Sequence, residues 1–181
     1  VIVFGGGPIG LLFVAALAKE GHHVILADPN QSRLEAGEAL GASKTVIINR
    51  GGGQADVVRA LTDGGHGAWI AVDATGVPEV WVDAIKTVRP GGLINLFGGC
   101  APGTSIPLDT HLVHYNELTI KGVYHHHPNA MRRAIELLSK SSFQAELMLS
   151  AEMPIERTEE ALRAMIRKDA LKVVITGTER T

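Results

Sequence analysis

Gly5, Gly7 and Gly10 stand in a G-x-G-x-x-G spacing directly after Val1-Ile2-Val3-Phe4, four apolar residues rich in β-branched types. Strand, glycine turn and helix in that order form the unit that holds a dinucleotide pyrophosphate. Gly5 allows a tight turn, Gly7 lets backbone N–H groups approach phosphate oxygens, and Gly10 lets the helix lie close on the sheet. Pro8 suits the first helical turn, where its missing N–H costs nothing. The unpaired N–H groups and the positive dipole end of the following helix then face an anion. Taken alone, this spacing fits any glycine-rich βα turn. Asp28 adds weight, because it lies eighteen residues past Gly10 at the end of a second strand-like run, His23-Val24-Ile25-Leu26-Ala27. An acidic side chain there would accept hydrogen bonds from the adenosine ribose hydroxyls.

The elements that must position these residues follow from hydrophobic patterning. Ile9 to Ala18 is almost wholly apolar and predicts a helix buried on every side, with Gly21 as its stop. Asn30 or Ser32 can cap the next helix, which runs to Leu40, and Thr45–Asn49 reads as a third strand. The first half is thus βαβαβ. Gly51-Gly52-Gly53 lacks the Lys-Ser/Thr of a Walker loop and reads as a flexible surface turn. Trp69–Asp73 is a fourth strand, ending in Asp73-Ala74-Thr75-Gly76. Ligands of open parallel sheets sit beyond the carboxyl ends of the strands, so Thr75, Gly76 and Val77 are candidate walls of the cleft. Pro78 opens a helix whose inward face is Val80, Trp81, Ala84, Ile85 and Val88. Arg89-Pro90-Gly91-Gly92 then turns into a fifth strand, Leu93–Phe97, and Gly98-Gly99 leaves room at its end. Leu118–Val123 is a sixth strand, reached through an excursion of mixed polarity over 104–116. A helix over Asn129–Ser139 follows. The tail, with Leu147-Met148-Leu149, Pro154-Ile155, a helix around Glu159–Arg167 and Lys172–Ile175, reads as a further β–α–β string. The predicted fold is α/β, a doubly wound Rossmann sheet of about six parallel strands with helices on both faces. Residues 1–148 form the dinucleotide-binding domain, and 149–181 belong to another domain's sheet.

Bulk properties narrow the function. The chain has 181 residues, 45% hydrophobic and 20% charged, enough for an ordinary core. A net charge of -2 and 4% aromatic residues argue against nucleic acid or an anionic membrane as partner. No apolar run reaches eighteen residues without a charge or turn, so no membrane span is expected. Cys100 is the single cysteine, which excludes an internal disulfide and a four-cysteine zinc site and fits a reducing, cytoplasmic setting. His125-His126-His127, with His111 and His114 upstream, cannot all face one ion from a strand or helix, so the run reads as a polar loop and not a metal site. The chain opens inside a core strand, without an initiator Met, as though taken from something longer.

With these words in place the chain resembles the cofactor domain of the medium-chain, zinc-dependent alcohol and polyol dehydrogenases. The matching residues are Gly5-x-Gly7-Pro8-Ile9-Gly10-Leu11-Leu12, Asp28, Leu40-Gly41-Ala42, Asp73-Ala74-Thr75-Gly76, Arg89-Pro90-Gly91-Gly92 and Lys172-Val173-Val174-Ile175. Asn116–Gly122 is similar to the sixth strand of sorbitol- and threonine-dehydrogenase-like members. The resemblance implies NAD as cofactor and hydride transfer from the carbon of a secondary alcohol or polyol. It places the pyrophosphate on Gly5, Gly7, Pro8, Ile9 and Gly10, the ribose on Asp28, and Arg33 over the adenine side. Thr75, Gly76 and Val77 would flank the cofactor's middle, while Phe97, Gly98, Gly99, Val123 and Tyr124 would approach the nicotinamide. Catalytic zinc and its ligands would lie in a preceding domain, so no catalytic or metal residue is assigned in this chain, and the fragment is expected to be inactive by itself. The resemblance further implies a homodimer through the edge strand 118–123. Two other readings stay open: a stand-alone NAD-sensing module, and an S-adenosylmethionine-dependent methyltransferase, against which Gly10 and the Asp73–Gly76 turn speak.

Overall fold

The computed structural model describes residues 1–49, 51–140, 144–167 and 169–177. Two compact units emerge, Val1–Pro128 and the described residues from Asn129 onward. The division falls twenty residues before the 148/149 boundary expected from sequence, and all but the first residue of the helix Pro128–Leu138 lies on the later side of it.

In the first unit, β1 (Ile2–Phe4), β2 (Ile25–Asp28), β3 (Lys44–Ile47), β4 (Ala68–Asp73), β5 (Val88–Leu96) and β6 (Thr119–Gly122) form one parallel sheet in the order β3-β2-β1-β4-β5-β6. The order reverses between β1 and β4, which opens a crevice beyond their carboxyl ends. Period-two alternation divides the side chains between the faces. Ile2, Phe4, Ile25, Ala27, Ala71, Ile94 and Leu96 share one buried cluster with Val58 of α3 (Ala55–Ala60) and with Val80, Ala84 and Ile85 of α4 (Pro78–Thr87). The other face meets α1 (Pro8–Lys19) and α2 (Gln31–Ala39), where Gly37 is a glycine because any Cβ would strike Leu26. Asn30 caps α2, its side chain accepting from the Ser32 N–H at 2.9 Å. Of the two caps left open by the sequence, Asn30 is therefore the one used.

Four expectations change. The helix α1 is not buried all round: Leu11, Val14 and Ala15 pack inward, but Ile9 is 43% and Leu12 37% exposed. A single face suffices to cover the sheet, and uniform apolarity hides which face that is. The fifth strand begins at Val88, not Leu93, because Val88 pairs with Ala68 before a register shift that Gly91, at φ 75°, makes possible. Within 104–116 a short helix, α5 (Thr110–Tyr115), is nucleated by Asp109, whose carboxylate accepts from the Leu112 N–H at 2.9 Å. The triplet Gly51–Gly53 does lie at the surface but is pinned: the buried Asp83 carboxylate accepts from the N–H groups of Gly53 (3.1 Å) and Gln54 (3.0 Å).

The second unit carries α6 (Pro128–Leu138), β7 (Ala151–Pro154), α7 (Thr158–Arg167) and β8 (Val173–Thr176), with β7 and β8 paired in parallel through a helical crossover. The β–α–β reading of the tail therefore stands, with one shift. Leu147–Leu149 is not strand: the chain there leaves a turn of 3-10 helix over Ala145–Met148, and pairing starts when the Ser150 N–H reaches the Lys172 carbonyl. Among the described residues no helix is long and apolar enough to cross a membrane.

Candidate functional site

At the end of β1 the chain turns at Gly5, whose φ of 99° lies in the left-handed region that favours glycine, and its N–H bonds the Ala27 carbonyl at 2.8 Å. Gly10, in the first turn of α1, has its Cα against the Gly5 carbonyl, so closely that a Cβ would overlap that oxygen. The helix is thereby drawn onto the end of the strand. Gly7 differs from both. It is the N-cap of α1 with an ordinary φ of -72°, and a Cβ built there would meet nothing within 4 Å. Open space thus lies in front of a twelve-residue helix whose leading N–H groups have no intrahelical partner. That cradle fits a pyrophosphate.

Asp28 ends β2 beside this turn and is only 3% exposed. One carboxylate oxygen accepts from the Gly6 N–H at 2.6 Å and the other from the Asn30 N–H at 2.8 Å. The Arg33 guanidinium stands 3.8 Å from the first oxygen. The sequence pointed to Asp28 as a ribose acceptor but gave no sign of this latch. Each carboxylate oxygen has two acceptor positions, so a second donor can still be received.

On the other side of the crevice Asp73 ends β4, completely buried. Its carboxylate accepts from the Thr75 N–H (3.2 Å) and hydroxyl (2.6 Å), the Gly76 N–H (3.0 Å) and the Trp81 indole N–H (3.0 Å). Its backbone carbonyl accepts from the N–H groups of Phe97 and Gly98 at 3.0 and 2.9 Å. Thr75–Val77 and Phe97–Gly99 are therefore brought together as one corner. Thr75 also faces Gly5, where an added Cβ would come within 2.8 Å of its methyl group. Phe97 packs edge-on against Phe13 of α1, centroids 5.2 Å apart. Val123 and Tyr124 follow β6, one strand farther out. Tyr124 is 87% exposed with its ring against His125 at 3.8 Å, so no packing aims it at the crevice.

Burial pushes the Asp73 carboxyl above its ordinary value, and the hydrogen bonds from Thr75, Gly76 and Trp81 draw it partly back. A carboxyl raised on folding contributes stability that is complete below its unfolded value and is lost as pH rises through its folded one. The stability difference between the parent and Asp73→Asn should therefore shrink as pH rises from about 4. Denaturant titrations across that range test it, and a difference that stays constant or grows contradicts the assignment.

Among the described residues no three His, Cys, Asp or Glu side chains gather to hold a metal ion, and His125–His127 lies in the loop before α6. A cavity of about 570 Å³ lies at the opposite, amino edge of the sheet, lined by His23, Lys44, Asp63, Trp69 and Arg89 among others. Lys44 and Arg89 there are bonded to the Leu61 and Gly67 carbonyls, so the cavity belongs to neither the glycine turn nor the Asp73 corner.

The family model described as zinc-binding dehydrogenase matches residues 8–140. A relative from Idiomarina loihiensis, an L-threonine 3-dehydrogenase, is 27% identical over 178 residues, which is 97% of this chain and 50% of that protein. The chain spans about half the length of such curated relatives. Among solved structures, an alcohol dehydrogenase from Thermotoga maritima superposes with a TM-score of 0.88 at 24% identity, covering 97% of this chain and 49% of the other. A short chain alcohol dehydrogenase from E. coli, complexed with NADH, gives 0.83 at 23% identity, covering 97% and 51%. A zinc-binding dehydrogenase from Sinorhizobium meliloti, bound to NADP, gives 0.83 at 23% identity, covering 96% and 51%. Identities this low speak to the fold alone.

Proposed function

The chain belongs to the zinc-binding dehydrogenase family, and from that premise we propose that it is the NAD-binding portion of an alcohol or polyol dehydrogenase. The observation that carries the reading is the open space before α1 at Gly7, framed by a glycine turn that Asp28 holds in place. Bound there, NAD would accept a hydride from the carbon of a secondary alcohol. The chain's own residues bind and orient. Gly5, Gly7, Pro8, Ile9 and Gly10 form the cradle for the pyrophosphate: Gly5 makes the turn with its own N–H on the Ala27 carbonyl, Pro8 starts the helix, and the N–H groups of Gly7, Ile9 and Gly10 are those left to donate. Asp28 accepts from the adenosine ribose, and Arg33 covers the adenine side. The Thr75–Val77 wall flanks the cofactor's middle, and Phe97–Gly99, with Val123, faces the nicotinamide, while Tyr124 has to turn from His125 to reach it. None of these supplies an acid, a base or a metal ligand, so oxidation of an alcohol is assigned to the whole protein, in the cytoplasm, and not to this chain alone. Residues 149–181, where Ile155, Leu162 and Ile166 are exposed, pack on the domain that carries the substrate. Calorimetric titration of this chain with NAD tests the reading. Micromolar to millimolar binding is expected, with none for S-adenosylmethionine, and absence of NAD binding overturns it.

Assembly belongs to the same proposal. β6 is an outer strand of the sheet, and apart from Lys121 it carries no charge to blunt its open edge. Two such edges pair through a two-fold axis into one continuous sheet, and the dimer closes on itself. Light scattering after size exclusion should give a dimer at about tens of micromolar, and Ile120→Pro, which removes a ladder donor, should give monomer. A parent that elutes as monomer ends this part of the reading, and a variant that stays dimeric moves the contact elsewhere.

A further inference from the structure

We propose that Trp81 is a positioning residue for the cofactor: its indole N–H fastens the ends of β4 and β5 together and so sets the gap between Thr75–Val77 and Phe97–Gly99. This rests on the NAD-binding reading above. By pattern alone Trp81 is one more inward residue of α4, and its ring does pack against the apolar cluster beneath the sheet. Its nitrogen does something else. Nε1 lies 3.0 Å from the Asp73 carboxylate and 3.1 Å from the Gly98 carbonyl, one donor shared between the segment that leaves β4 and the segment that leaves β5. Those two segments are otherwise in very close apposition: a Cβ on Gly98 would come within 2.6 Å of the Asp73 carboxylate, and one on Gly76 would overlap the Gly99 carbonyl.

The placement of Trp81 explains why one side chain can matter this much. Val77 caps α4, the Trp81 N–H returns to the Val77 carbonyl at 3.1 Å, and the Val77 N–H rests on the Thr75 hydroxyl at 3.1 Å. The ring is therefore carried by the helix that begins at one wall, and its N–H reaches the other. A gap held ready at this width spares the cofactor the cost of ordering two glycine-rich segments on binding. Released from the indole, the Gly98–Gly99 end keeps its backbone bonds to Asp73 but loses its tie to α4.

Two variants separate this role from packing. Trp81→Phe keeps an aromatic ring and removes the donor. Trp81→His is smaller, yet its Nε2 falls where the indole nitrogen is and can donate the same bond. At neutral pH, NAD titration into this chain should show Trp81→Phe binding about tenfold more weakly than the parent, and Trp81→His within about threefold. Thermal melting establishes that each variant is folded. Were the ring's bulk the only contribution, Phe would bind better than His, and that order overturns the proposal, as does equal affinity in all three proteins. If Trp81→Phe does not fold, Trp81→His decides alone: retained affinity supports the donor's role, and a tenfold loss refutes it. A parent that binds no NAD overturns the functional reading itself and this inference with it, a result distinct from every variant effect.

Discussion

Gly10→Ala is expected to cost the fold, and Gly7→Ala only the ligand. The two glycines stand three residues apart in one turn, yet their surroundings are opposite. A methyl on Gly10 would overlap the Gly5 carbonyl, a backbone atom that cannot swing aside, so β1 and α1 must separate. Overpacking of this kind costs about 3 kcal/mol or more, a large share of a domain's stability, and should lower Tm by about 10 °C. A methyl on Gly7 meets nothing within 4 Å and a φ of -72° accepts any residue, so the loss is only that of alanine for glycine at an N-cap, about 1 kcal/mol, and the protein should melt within about 4 °C of the parent. The same methyl fills the space a phosphate needs. Losing two charge-assisted N–H bonds to it, at about 1.5 kcal/mol each, weakens NAD about hundredfold. Melting curves and NAD titrations on both variants decide the matter. Undiminished NAD affinity in a folded Gly7→Ala protein would remove the pyrophosphate from this turn.

Asp28→Ala should show both kinds of loss at once. It strips the acceptor from the Gly6 and Asn30 N–H groups, at about 1–3 kcal/mol for the buried Gly6 donor and less for the half-buried Asn30. It also removes the negative charge that, in the proposed reading, stands where a 2′-phosphate would come. A 2′-phosphate would bring about two further negative charges to this carboxylate, and like charges a few ångströms apart in a partly buried cleft repel by about 1–4 kcal/mol. Arg33, 3.8 Å away, offsets part of that repulsion. The parent is therefore expected to prefer NAD over NADP, and Asp28→Ala to narrow the ratio by about tenfold while weakening both. Dissociation constants for the two cofactors on the two proteins check it. Equal or tighter binding of NADP by the parent sinks the claim.

Residues that act within their own neighbourhood were legible in the sequence. The glycine spacing, Pro8 after it, and Asp28 at the end of an apolar run each announce a local geometry, and six apolar runs at βα intervals dictate a parallel sheet. What went unread acts at long range. Asp83 holds Gly53 and Gln54 across about thirty residues of chain, and Trp81 reaches Gly98 across seventeen. No periodicity records either, since an inward position on α4 looks the same whether it fills space or donates a bond. Asp109 did carry a local signal, a capping residue before Thr110–Tyr115, but the mixed polarity of 104–116 obscured it. The exposure of Ile9 and Leu12 was hidden for the converse reason. A helix apolar on every side gives no moment from which to choose its buried face.

The Asp28 latch also governs how the site opens. Its two oxygens hold the Gly6 and Asn30 N–H groups, so the glycine turn and the entry to α2 share one anchor. Neither can swing away while the carboxylate stays in place, and neither stays anchored once it leaves. In native-state hydrogen exchange the amides of Gly6 and Asn30, twenty-four residues apart in the chain, should therefore lose protection in one cooperative opening rather than as two independent loops.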